Sequence, residues 1–133
     1  MYMLDTNICI YIIKQKPMEI VDKFQSFPLG SIGISVITLA ELEYGVSKSQ
    51  SIQKNRDALA LFVAPLEILD FDNSAAAVYG EIRAELEKKG NIIGSMDMLI
   101  AAHAVSVNAT LVTNNTKEFE RIKKLKLENW VQK

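Results

Sequence analysis

Short apolar segments alternate with longer stretches of helical period along this chain, a pattern that buries itself most readily as a parallel sheet covered by helices on both faces. Tyr2 to Leu4 reads as a short buried strand, Ser31 to Val36 as a second, Leu66 to Phe71 as a third, Thr110 to Thr113 as a fourth and Leu125 to Trp130 as the last. Between them, Asn7 to about Lys14 predicts a helix, and Pro17 opens another through Phe24. Leu39, Leu42, Glu43 and Val46 recur at helical spacing, and Ser51 to Ala64 continues helical until Pro65. The clearest amphipathic helix carries the stripe Ala75, Val78, Ile82 and Leu86 and stops at Lys88-Lys89-Gly90. Asn91 to Gly94 is a loop, Ser95 a candidate N-cap, Met96 to Val107 a largely buried alanine-rich helix and Thr116 to Ile122 a short one. The expectation is an α/β three-layer fold, with a central parallel sheet of four to five strands, in one domain over residues 1–133.

A hydrophobic content of 49% in 133 residues suffices for one proper core. Fifteen basic against sixteen acidic residues give no bulk attraction for nucleic acid, so any such contact needs a local basic patch and a bound metal. No apolar run reaches the roughly 18 to 20 residues of a membrane span, and the first strand begins without a basic and then apolar leader; the reading is a cytoplasmic protein. Cys9, the one cysteine, cannot form an intrachain disulfide or a thiolate metal site and reads as a small buried hydrophobe. His103, the one histidine, excludes a two-histidine metal motif. It follows Asp97 by six residues, about 240° around a helix, and so reads as a packed or partly exposed helix residue rather than a ligand.

Function is carried by four acids far apart in sequence, each after or inside an apolar segment: Asp5, Glu41, Asp97 and Glu118. Singly, each has a plain structural account: an N-cap for Asp5, a first-turn acid for Asp97, exposed helix positions for Glu41 and Glu118. Their surroundings argue otherwise. Asp5 follows Tyr2-Met3-Leu4, Glu41 is set in Ile37-Thr38-Leu39-Ala40, and Asp97 precedes Met98-Leu99-Ile100-Ala101-Ala102, where a carboxylate is costly unless paired, hydrogen-bonded or metal-bound. In a parallel α/β sheet, ligands collect beyond the carboxyl ends of the strands, where Asp5 and the Thr113-Asn114-Asn115 turn both fall. Converging there, the acids form an all-oxygen cage suited to Mg²⁺ or Mn²⁺ and to phosphodiester chemistry without a histidine base.

Met3-Leu4-Asp5-Thr6-Asn7, Thr38-Leu39-Ala40-Glu41-Leu42 with Gly45, Arg83-Ala84-Glu85-Leu86 before Gly90, Gly94 with Asp97 and Ile100-Ala101, and Val112-Thr113-Asn114-Asn115 with Glu118-Phe119 span essentially the whole chain. In this order and spacing they resemble the PIN-domain ribonucleases and, within them, the VapC toxins of bacterial toxin–antitoxin pairs. The resemblance implies Asp5, Glu41 and Asp97 as metal carboxylates, Glu118 as a further acid of the site, and Thr6 and Thr113 as supporting groups. Much of the wider family has an aspartate where this chain has Asn114-Asn115; Asn115 can still offer a carbonyl or hold a water, and a second metal is expected to bind more weakly. Further implications are an RNA substrate, with tRNA cut in the anticodon region, a VapB antitoxin covering the cleft, a toxin homodimer built on the early helices within a larger complex, and DNA contact only through the antitoxin.

Lys14, Lys16, Lys88, Lys89, Arg121, Lys123, Lys124 and Lys126 are candidate phosphate contacts, and Tyr11, Tyr44 and Tyr79 candidate stacking surfaces, each with a surface or packing role as the plainer reading. Three rivals fit parts of the pattern. A receiver-type phosphoacceptor switch would use Asp5, Asp70 and Thr113, a phosphatase would use Asp5 as nucleophile, and a catalytically silent module would bind RNA only.

Overall fold

A computed structural model of the chain describes residues 1–28 and 30–131. In chain order the elements are β1 (Tyr2–Leu4), α1 (Thr6–Lys14), α2 (Met18–Gln25), β2 (Ile32–Ser35), α3 (Val36–Ser47), α4 (Ile52–Val63), β3 (Glu67–Leu69), α5 (Asn73–Lys88), α6 (Ser95–Ser106), β4 (Thr110–Val112), α7 (Thr116–Phe119) and β5 (Lys126–Glu128). The five strands form one sheet in the order β3-β2-β1-β4-β5, and every pairing is parallel. The expected α/β three-layer architecture is therefore observed.

The two-residue period of the strands divides the interior in two. Met3 and Leu111 point to one face, where α5 and α6 supply Ile82, Leu86, Met98 and Ile100. Leu4, Ile32, Ile34 and Val112 point to the other, against Ile8 and Ile12 of α1, Leu42 of α3 and Phe62 of α4. Strands buried on both faces need no polar alternation, which is why they read as short continuous apolar runs. On α5, Ala75, Ile82 and Leu86 are buried, with Val78 half-buried against the same core.

Two strands stop earlier than their sequence suggests, and their neighbours explain it. The β2–β3 register ends at Ser35 opposite Leu69, and α3 begins at the next residue, Val36. Asp70 and Phe71 thus have nothing to pair with. Likewise the β4–β5 ladder ends at Val112 opposite Glu128, so Trp130 leaves the sheet and stacks on Phe27 with centroids 5.2 Å apart. Two helix ends also differ from expectation. The N-cap of α6 is Gly94, and Ser95 is already helical. Helix α7 stops at Phe119, where turn hydrogen bonds from Arg121 to Glu118 and from Ile122 to Phe119 take over.

The chain lays β2 and β3 on one side of β1 and then crosses to place β4 and β5 on the other. The crevice beyond β1 and β4 is therefore the topological switch point, the position at which open α/β sheets bind ligands. A receiver-type switch requires the strand order 2-1-3-4-5, so that reading is overturned by the topology. Its second acid, Asp70, follows β3 at the sheet edge, two strand spacings or about 10 Å from β1.

Gly33 shows how tightly β2 and β3 approach. A Cβ built there would lie 2.7 Å from the Glu67 carbonyl oxygen. Gly33→Ala is expected to force the edge strand away and to cost about 1 to 3 kcal/mol of stability. At Gly80, exposed within α5, a Cβ would meet nothing within 4 Å, so Gly80→Ala should stabilise by roughly 0.5 to 1 kcal/mol. Urea unfolding of both variants beside the wild type checks the pair, and equal effects at the two glycines would contradict this account.

Candidate active site

Asp5 leaves the end of β1 with its N–H bonded to the Val112 carbonyl of β4 at 3.0 Å. Its carboxylate Oδ1 accepts from the Ile8 N–H at 2.9 Å and so caps α1. The capping role and a site role coincide in one residue, which is only 5% exposed. Thr6, the first residue of α1, donates its hydroxyl to Glu41 Oε1 at 2.6 Å and fixes that carboxylate on α3. Beyond β4, the buried Thr113 hydroxyl accepts from the Asn115 N–H at 2.9 Å, and it favours the ionised form of Asp5. The Asn115 amide donates to Glu118 Oε2 at 3.2 Å, leaving its carbonyl free of that contact. Asp97 stands in the first turn of α6, where the helix dipole favours an acid.

The acids feel one another. Asp97 is pushed from 3.8 up to about 6, first by burial and then by the charges of Asp5, Glu118 and Glu41. Asp5 is also raised, chiefly by burial and further by Glu41, while Thr113 and the Ile8 and Asn7 N–H groups pull the other way. Among the described residues the ion pairs engage Glu43, Glu81, Glu85 and Glu87, and none of the four acids. As they stand, no three acidic, histidine or cysteine side chains among the described residues are arranged to grip one ion directly. The cluster is thus a concentration of uncompensated negative charge, suited to a hydrated cation that keeps several of its waters.

The other candidate residues separate. Lys89 is spent on Glu85 at 2.8 Å, Lys124 lies 4.0 Å from Glu81, Lys126 donates to Asn108 and Arg121 to the Ile92 carbonyl. Lys14 instead lines a groove beside Glu41. Tyr11 and Tyr79 are packed against the cores, whereas Tyr44 is 65% exposed, with the Lys48 ammonium over its ring at 4.8 Å. Cys9 is buried, as expected. His103 is also fully buried, and its Nδ1 lies 2.7 Å from Ser35 Oγ. Sequence reading overlooked Ser35; a serine directly before an apolar helical run was the available N-cap signal.

Topology, acid cluster and threonine-assisted carboxylates together define an α/β fold with an acid-lined cleft, and the PIN domain family profile matches residues 2–125. The chain belongs to the PIN-domain family, in its VapC branch. It is 53% identical over 130 residues to Ribonuclease VapC2 of Rickettsia felis, covering 97% of each chain. It is 46% identical over 129 residues to the tRNA(fMet)-specific endonuclease VapC of Shigella flexneri, again covering 97% of each. Its fold matches a chain in the crystal structure of VapBC2 from Rickettsia felis bound to a DNA fragment from their promoter, with a TM-score of 0.90, 51% identity and 98% coverage of both chains.

Because the Asp97 pKa is raised on folding, the folded state holds that proton more tightly than the unfolded one. Its destabilising effect is absent below the ordinary value of 3.8, grows as pH rises and is complete above about 6. Asp97→Asn should therefore raise the Tm of the metal-free protein at pH 7.5, with the gain shrinking towards zero near pH 3.5. Thermal melts across that range check this, and a pH-independent difference would refute the electrostatic origin.

Proposed function

We propose that this chain is a divalent-metal-dependent endoribonuclease that cuts tRNA in the anticodon region and is restrained by a VapB-type antitoxin. The observation that carries the reading is the cluster of unneutralised carboxylates at the switch point, with Asp97 pushed to about 6 first by burial and then by the charges of its neighbours. Asp5, Glu41 and Asp97 would hold Mg²⁺ or Mn²⁺, with Glu118 as the fourth acid. When bound, such an ion lowers the pKa of a water and offsets the charge that develops on the phosphorus.

The chain's own groups supply position and proton handling. Thr6 keeps Glu41 oriented by its 2.6 Å hydrogen bond, the Ile8 N–H holds Asp5, and Thr113 favours the ionised form of Asp5. Glu118, which accepts from the Asn115 amide, would accept a proton from the attacking water at a carboxylate oxygen. The apolar groove of about 260 Å³ lined by Ile10, Ile13, Leu42 and Val46 runs up to Glu41. It suits an antitoxin segment that buries an aliphatic side chain and extends an arginine or lysine to the carboxylates.

The tRNA preference draws on the tRNA(fMet)-specific relative, and the partner and its promoter contact on the VapBC2 complex. A toxin homodimer within that larger complex and a cytoplasmic site of action complete the reading. Among the described residues no helix is long and apolar enough to cross a membrane.

The test is antitoxin-free protein incubated with total tRNA and Mg²⁺ or Mn²⁺, with EDTA as control. Discrete fragments are expected with metal only. Asp5→Asn, Glu41→Gln and Asp97→Asn should each lose at least about 100-fold in rate, since each removes several kcal/mol of charge stabilisation. Thr6→Val should lose roughly 10-fold, the worth of one hydrogen bond to a charged group. Folded protein that retains tRNA on a filter but never cuts it would instead make this a binding module.

A further inference from the structure

We propose that the hydrogen bond between His103 and Ser35 is a pin that sets the gap between Glu41 and Asp97, which makes His103 a positioning residue of the acidic site. The consequence for metal binding rests on the function proposed above; the pin itself does not.

Ser35 ends β2 and caps α3, its Oγ accepting from the Ile37 N–H at 3.0 Å. The same Oγ lies 2.7 Å from His103 Nδ1 and is hydrogen-bonded to it in either ring tautomer. Burial holds the imidazole pKa below its ordinary value, against the opposing pull of Asp72 and of the Asp70 carbonyl and side chain, so the ring is neutral and able to accept. Phe71 meets it edge-on at 5.4 Å.

This arrangement is costly. Nε2 is buried with no partner at hydrogen-bonding distance, and the pull of the Asp70 carbonyl offsets only part of the penalty of leaving it so. A phenyl ring would fill the same space against Phe71 without it. What a phenyl ring could not do is hold Ser35.

The placement of the pin gives it leverage. Ser35 precedes Glu41 by six residues on α3, and His103 follows Asp97 by six on α6. Each carboxylate therefore sits about 9 Å along its helix from the pin. Among the described residues no other side-chain hydrogen bond joins the two helices, and α6 packs chiefly on α5 rather than on α3. A rotation of about 10° at the pin would carry the far end of a 9 Å arm through roughly 1.6 Å. A shift of that size changes how well the two carboxylates can share one hydrated ion, so a loose pin would weaken the site while leaving the fold intact.

Three variants test this: His103→Phe keeps the ring and removes Nδ1, His103→Asn offers an amide oxygen near the Nδ1 position, and Ser35→Ala removes the hydroxyl. In crystals of metal-free His103→Phe the Glu41-to-Asp97 Cα separation should change by more than about 1 Å. By calorimetry the Mn²⁺ Kd should rise roughly 10-fold or more in His103→Phe and in Ser35→Ala. The double variant should be no worse than the poorer single one, and His103→Asn should recover most of the affinity.

A folded His103→Phe with unchanged gap and unchanged Mn²⁺ affinity would overturn the proposal, as would losses that multiply in the double variant. Should His103→Phe fail to fold, Ser35→Ala retains the ring and takes the same two measurements. If the wild type takes up no Mn²⁺, the metal-site reading fails, and the gap still decides the pin.

Discussion

The site depends on β1 being paired on both sides. Its three residues lie parallel to β2 and to β4, and the last backbone link, from Asp5 to Val112, brings the ends of β1 and β4 level. From that point α1 departs to one face and the chain through α7 to the other. The crevice between them is the consequence of topology that brings Asp5 to the local group of Thr113, Asn115 and Glu118, from which it is remote in sequence. Helices α3 and α6 then bring Glu41 and Asp97 to its rim.

The crevice is held in electrostatic tension. Burial and mutual repulsion raise Asp97 to about 6, while hydrogen bonds from Thr6 and Ile8 keep individual carboxylates in place. Opposing effects of this kind are common where function is bought with stability. An ordinary structural cluster would be relieved by a lysine or arginine; here none of the ion pairs among the described residues includes any of the four acids. The missing charge is left for something from solution, either a cation or the basic side chain of a partner, and the two would compete for one position.

How much of this was legible in the residues follows from the range of the forces involved. Helix and strand identity came from periodicity, which is local: the α5 stripe and the buried strands read correctly because side chains repeat at 3.6 or at 2 residues. The ends of β3 and β5 did not, because a strand ends where its neighbour does, and Ser35 and Val112 are remote from Leu69 and Glu128 in sequence. Ser95 likewise looked like a cap, but the fold starts α6 one residue earlier.

At the site, the four acids stood out because carboxylates inside apolar runs are physically expensive. By itself the sequence determined the α/β class, the buried state of Cys9 and the acids worth watching, since each is a matter of residue chemistry and short-range period. Only the tertiary structure decided the strand order that excludes the receiver arrangement, the raised Asp97, and the contact of His103 with Ser35, 68 residues apart. These depend on which distant segments touch, and contact across that distance is set by the packing of the whole sheet and its two helical layers.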